Sequence, residues 1–265
     1  MKKLIIILIF TLVIPVFTVT ASADSSAAVA NTNLNPDDVA RLAKKVERIA
    51  AENGANVIIL ARIGRNPEAL PKGIHYTHTA IGVYSMIKTE DGKEIPGYAI
   101  YNLYQESDDP SKSYLAVDFP FDFFASAQSL KAGIIIPERE LQERILKTIT
   151  DGKHEVVHNP RYSAMANPFN SSYQNCTEHT LDIINAAIYQ TTDMQQLKKI
   201  SSEHFEPQKV HISGLKLAIG SLFISDVTTT DHSGEIKTAT YTTIGNYLDK
   251  YGLMEKQLEI TLDDV

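Results

Sequence analysis

The sequence predicts an α+β fold, an antiparallel sheet with a cysteine-bearing helix packed on it, and three observations carry that expectation. Short β-branched runs at Ala55 to Ile63, Thr77 to Ile87 and Tyr98 to Tyr104 read as strands. The last two are joined by a polar turn through Asp91-Gly92 and Pro96-Gly97, the economical connection for an antiparallel ribbon. Segments with helical period follow Pro36 and Pro137, and a further one runs on from Cys176, the only cysteine in 265 residues.

In chain order, residues 1 to 23 have the make-up of an export signal. Lys2 and Lys3 precede an apolar run from Leu4 to about Val19, and Ala21-Ser-Ala23 offers a small-residue cleavage site before Asp24. The expectation is a periplasmic or secreted protein cleaved after Ala23. An uncleaved anchor is the alternative, because the run approaches spanning length. No later segment is long and apolar enough to cross a bilayer, and no cysteine follows the run to carry a lipid. Residues 24 to 34 read as a flexible leader and 35 to 265 as a single domain. Losing Lys2 and Lys3 takes the formal charge from −7 to −9, which argues against nucleic acid or an anionic membrane surface as partner.

Asn35 as cap, Pro36, the acidic Asp37 and Asp38, and the stripe Val39, Leu42, Ala43, Val46, Ile49 and Ala50 predict a helix stopping at Asn53-Gly54. After the three strands, Tyr114 to Val117 is a further short strand. The aromatic segment from Phe119 to Leu130 packs over the core. A helix is expected to start at Pro137 and end near Asp151-Gly152. Thr191 to Pro207 is polar with weak helical character, Leu215 to Ile224 is strand-like, and Thr240 to Tyr251 is helical.

Asn175 can cap the cysteine helix, with Glu178 reaching back as in a capping box, so Cys176 becomes its first residue. Thr180, Ile183, Ile184, Ala187 and Ile188 share its side; Glu178, Asp182, Asn185 and Tyr189 fall on the other. Helix N-terminal N–H groups favour a thiolate and would lower its pKa. A lone cysteine opening an apolar face is also, more often than not, a small buried hydrophobe. An exported chain with one cysteine has no internal disulfide, which keeps a reactive thiol in view. Eight histidines compete as its base, and spacing alone does not choose among them.

The string Tyr76-Thr-His-Thr-Ala-Ile-Gly-Val-Tyr84, followed about a hundred residues later by Tyr173-Gln-Asn-Cys-Thr-Glu-His179, resembles the permuted branch of the NlpC/P60 papain-like superfamily. With Tyr162-Ser-Ala-Met-Ala-Asn-Pro-Phe169 and Tyr101-Asn-Leu-Tyr-Gln105, it is more closely similar to a bacterial family known as domain of unknown function 2145, over roughly residues 40 to 250. The resemblance implies a papain-like core. It makes Cys176 the nucleophile, His78 the general base and acid, and Asn102 the orienting residue where relatives often carry histidine. The backbone N–H of Cys176, Gln174 and Asn175 would bind the oxyanion or substrate. It further implies a cysteine hydrolase or acyltransferase, without cofactor, acting on an amide or ester of the cell envelope: a peptidoglycan peptide, a lipid or a protein acyl group. Two alternatives stay open. One is a catalytically silent envelope binding module of the same fold; the other is a metal site built from Cys176, His179 and a further histidine. Otherwise Glu178 and His179 are expected to serve the helix end and its surface.

Overall fold

Asn35 accepts a hydrogen bond from the backbone N–H of Asp37 at 2.9 Å, and helix α1 (Pro36–Glu52) follows with Val39, Leu42, Ala43, Val46 and Ala50 buried. The computed structural model describes residues 34–88, 92–210 and 228–262. The expected signal, the leader up to Asn33 and the strand expected at Leu215 to Ile224 lie outside the described residues.

Strands β1 (Val57–Arg62), β2 (His78–Lys88), β3 (Glu94–Gln105) and β4 (Ser113–Asp118) come next, then the short helix α2 (Pro120–Ala125) and β5 (Lys131–Pro137). Helices α3 (Arg139–Thr150), α4 (Lys153–Val156), α5 (Cys176–Tyr189) and α6 (Met194–His204) lead to a small ribbon of β6 (Gln208–Val210) and β7 (Ile236–Thr238). Helix α7 (Tyr241–Lys250) and strand β8 (Met254–Thr261) complete the described chain. The main sheet has six strands in the order β4-β3-β2-β1-β5-β8, with every neighbouring pair antiparallel.

Residues of β1 alternate between two cores. Ile58 and Leu60 pack with α1 and α2; Val57, Ile59 and Ala61 pack with α3, α5, α6 and α7. Covered on both faces, β1 has no exposed residue, which is why its sequence is apolar without alternation. Gly133 of β5 lets α7 dock, since a Cβ there would sit 2.7 Å from the Tyr241 ring. No helix among the described residues is long and apolar enough to cross a membrane.

Two boundaries and the last strand differ from expectation. Strand β3 begins at Glu94 and runs through Pro96-Gly97, paired with Met86 and Ser85, rather than turning there. Pairing to β4 starts only at Ile100, so proline's missing N–H faces an unpaired edge and costs no ladder bond. Pro137 closes β5 instead of opening α3, because the Glu138 carboxylate accepts from the N–H groups of Glu140 and Leu141 and makes Glu138 the cap. Strand β8, half-exposed at the sheet edge, carried too little apolar alternation to be anticipated.

Candidate functional site

Asn175 turns an extended stretch into α5. Its side-chain oxygen accepts from Glu178 N–H at 2.9 Å and its carbonyl from His179 N–H at 2.9 Å, while its amide donates to the Ala164 carbonyl and to Thr238 Oγ1, each at 3.2 Å. With these groups used, the turn is held from three directions and Cys176 is fixed as the first helical residue. The Cys176 sulfur lies 3.9 Å from the Thr77 carbonyl and 3.8 Å from Thr177 Oγ1, which in turn donates to Thr79 Oγ1 at 3.3 Å. The thiol thus sits against the backbone of β2 at its first residues.

Above it opens a cleft of about 710 Å³, part of it open to solvent. Leu70, Pro71, Ile74, Tyr76 and Met165 supply an apolar wall; Thr77, Thr177, Thr238, Thr240 and Asn175 surround the sulfur end. Arg65 is the one charged residue lining it, and no histidine, aspartate or glutamate does so among the described residues. Burial pushes the Cys176 thiol up, against smaller opposing effects of a Thr79 backbone hydrogen bond, the Thr177 hydroxyl and the Arg62 charge. The direction is opposite to the lowering expected from the helix N-terminus: the sulfur is only 6 % exposed, and loss of water is the largest effect on it.

His78 and Asn102 do meet. The imidazole Nε2 lies 3.0 Å from Asn102 Oδ1, and Asn102 Nδ2 donates to Asp118 Oδ2 at 3.0 Å. An amide oxygen only accepts, so Nε2 carries the proton. The ring stacks on Tyr104 with centroids 5.0 Å apart and meets Phe123 of α2 at 5.6 Å. Those neighbours belong to the α1/α2 side. Thr77 and Thr79 face α5; His78, between them, faces the other way. The β2 backbone therefore lies between sulfur and imidazole, and the described contacts of Cys176 include no histidine. Burial, reinforced by the Arg62 charge and opposed by the Asn102 hydrogen bond, pushes His78 down to about 3.

Gln174 is turned away from the cleft. It is completely buried, its Oε1 accepting from Asn159 N–H at 2.8 Å and its Nε2 donating to the Val157 carbonyl at 3.0 Å and Asp182 Oδ2 at 2.7 Å. Glu178 makes no capping box and does not serve the surface: it and Asp182 are buried and share the Lys198 ammonium, at 2.6 Å and 2.7 Å. A carboxylate that reached back to the cap would have left that ammonium underpaired inside the protein. His179, also buried, sends Nε2 to the His154 carbonyl at 2.9 Å. Among the described residues no three His, Cys, Asp or Glu side chains gather in a way that could hold a metal.

Lys198 and Arg62 escaped the sequence reading. Lys198 was hidden in a stretch whose polarity suggested exposure. Arg62 left a signal, a lone charge in phase with Ile58 and Leu60 at the end of an apolar run.

A family profile described as "Uncharacterized protein conserved in bacteria (DUF2145)" matches residues 49–248, and the chain belongs to that family. No curated protein matches the chain. No solved structure matches it either.

Proposed function

Starting from membership of a family described only as uncharacterized, we propose that this protein is an exported binding module whose cleft over Cys176 receives a small ligand with an apolar body, the thiol serving as part of the floor. The observation that carries this is the absence of histidine, aspartate and glutamate from the lining described above, with the His78 imidazole packed on the far face of the sheet. Thiol acyl transfer needs a base within hydrogen-bond reach and a sulfur that ionises near neutral pH. Here burial holds the sulfur protonated. In this reading the strand that carries His78 precedes the cysteine helix without forming a Cys176–His78 pair, and the envelope supplies the ligand.

The hydrolase or acyltransferase reading keeps one observation of its own. Cys176 opens a 14-residue helix at the floor of a cleft, where a nucleophile would stand. Alkylation separates the two. For a binding module, iodoacetamide should label Cys176 no faster than a free thiol at neutral pH, with a rate that rises only above the ordinary thiol pKa of about 8.5. Bulk at the sulfur should block saturable binding of an apolar fluorescent anion such as anilinonaphthalene sulfonate, while Cys176→Ala should retain it. Labelling at pH 7 about tenfold faster than a free thiol, and slowed by His78→Ala, would restore the enzyme and remove the module.

A further inference from the structure

The polar groups at the sulfur end of the cleft over Cys176 are mostly hydrogen-bond donors, as their existing bonds show. Thr77 Oγ1 accepts from the Gly64 N–H at 2.7 Å, and Thr238 Oγ1 accepts from Asn175 Nδ2 at 3.2 Å. Both hydroxyls are thus acceptors within the protein, and neither donates its own proton to a group among the described residues. Asn175 is fully engaged: its amide hydrogens go to Ala164 and Thr238, and its oxygen takes the Glu178 N–H. Two hydroxyl protons facing one cleft call for an acceptor on whatever enters it.

Charge points the same way by a separate route. Arg65 follows the Gly64 whose N–H holds Thr77, so its backbone is anchored beside that hydroxyl while its side chain lines the cleft. Among the described residues no carboxylate lines the cleft, either to balance Arg65 or to receive an N–H from a ligand. Arg65 also has a contact of its own within the protein, and the five N–H donors of a guanidinium let it keep that contact and still meet an incoming oxygen. An ammonium head group would meet a like charge here, and an alcohol would forgo the cation. A carboxylate takes up the charge and both hydroxyl protons.

Resting on the reading of the cleft as a ligand site, we propose that it selects a monocarboxylic acid with an apolar body. The carboxylate is set against Arg65 and the hydroxyls of Thr77 and Thr238; the body lies along the wall of Leu70, Ile74 and Met165. One cation suits a monoanion, whereas a phosphate dianion would be only half neutralised. The sulfur takes no part beyond closing the floor.

Octanoate, 1-octanol and octylammonium, alike in their apolar chain, test this when each is titrated into the full chain at neutral pH and followed by calorimetry. Octanoate should bind about tenfold or more tighter than 1-octanol, the size of one charge-assisted hydrogen bond, and octylammonium should bind weakest. Alkylation of Cys176 should block octanoate. Arg65→Gln, a change at a partly exposed side chain, should bring octanoate to the level of 1-octanol and leave 1-octanol as it was. Arg65→Lys, which keeps the charge, should retain most of the preference. Equal binding of octanoate and 1-octanol, or a preference that persists in Arg65→Gln, overturns the proposal and leaves the cleft a ligand site of another class. Octanoate binding that survives alkylation overturns it as well, by moving the acid out of the cleft. Failure of all three compounds and of anilinonaphthalene sulfonate to bind removes the cleft reading itself, and this proposal with it.

Discussion

The two faces of the sheet around the start of β2 handle polar groups in opposite ways. On the α5 side, the buried acids Glu178 and Asp182 close on Lys198, Gln174 ties Asp182 to the chain before the cysteine, and the thiol is left among threonines and apolar walls. On the α2 side, a hydrogen-bonded line from His78 through Asn102 to Asp118 runs beside the Arg62 guanidinium, which feels the Asp118 charge while its Nε and Nη1 find no hydrogen-bond partner among the described residues. The first is an ionic clamp beside a cleft with one charged lining residue, Arg65; the second is a polar chain beside a guanidinium with two unpartnered nitrogens. A single step along β2 separates them, because successive residues of a strand face opposite ways. Thr77 and Thr79 meet the cysteine helix while His78 meets Tyr104 and Phe123. Proximity in sequence and even backbone contact do not bring a side chain to a site.

The sharpest way to break this contrast is to open the clamp. Lys198→Met leaves two buried carboxylates without their cation, and removal of one partner from a buried ionic group costs about 3–5 kcal/mol. Urea unfolding at neutral pH should show a loss of that size, shrinking at acid pH where the carboxylates take up protons. A loss below about 1 kcal/mol would mean the clamp is wetter than its burial indicates.

A smaller effect is expected across the sheet. Asn102→Ala strands the His78 Nε2–H and removes a donor from Asp118, worth about 1–3 kcal/mol for buried polar groups. Alkylation of Cys176 should proceed at an unchanged rate in this variant. A change in that rate would show that the two faces communicate and would weaken the separation drawn here.

How much of this was legible in the sequence follows from the same alternation. The helix at Pro36, the three long strands and the cap at Asn175 were readable because local signals decide them: a proline after an asparagine, β-branched runs, a side-chain oxygen three residues ahead of an N–H. The His78–Asn102 contact was readable too, since adjacent strands bring such side chains within reach. Which face His78 takes relative to α5 was not, because strand phase against a helix a hundred residues away is fixed by packing of the whole layer. The same holds for Glu178 and Asp182. Helical periodicity assigns them to the side away from the apolar stripe, and only the later arrival of Lys198 on α6 makes that side an interior. Polarity marks exposure when a helix has one covered face; α5 is covered nearly all round.

The mildest expected difference between the two faces is in their response to pH, and its sign can be worked out group by group. Burial raises Glu178 above its ordinary carboxylate value, against the pull of Lys198. A group whose folded pKa is raised contributes stability that is fully present below its unfolded pKa, about 4.3, and is lost as pH climbs through the raised value. His78 is depressed to about 3, so its contribution is present above the unfolded value of about 6.5 and is lost as pH falls through the folded one. His179, on the α5 side, is pushed down by burial as well and adds to the same acid limb. The acid limb therefore draws on both faces, and so does the loss on raising pH, because burial raises Asp118 beside Asn102 as well as Glu178 in the clamp. Each proton contributes a slope of at most about 1.4 kcal/mol per pH unit. Urea midpoints taken from pH 5 to pH 9 should flatten on the alkaline side in Glu178→Gln, which cannot ionise, and keep their acid limb. His78→Gln should take away only part of the acid limb and leave the alkaline side as it was. An alkaline slope that survives Glu178→Gln would move the titrating proton to another carboxyl raised by burial, Asp182 on the same ammonium or Asp118 across the sheet.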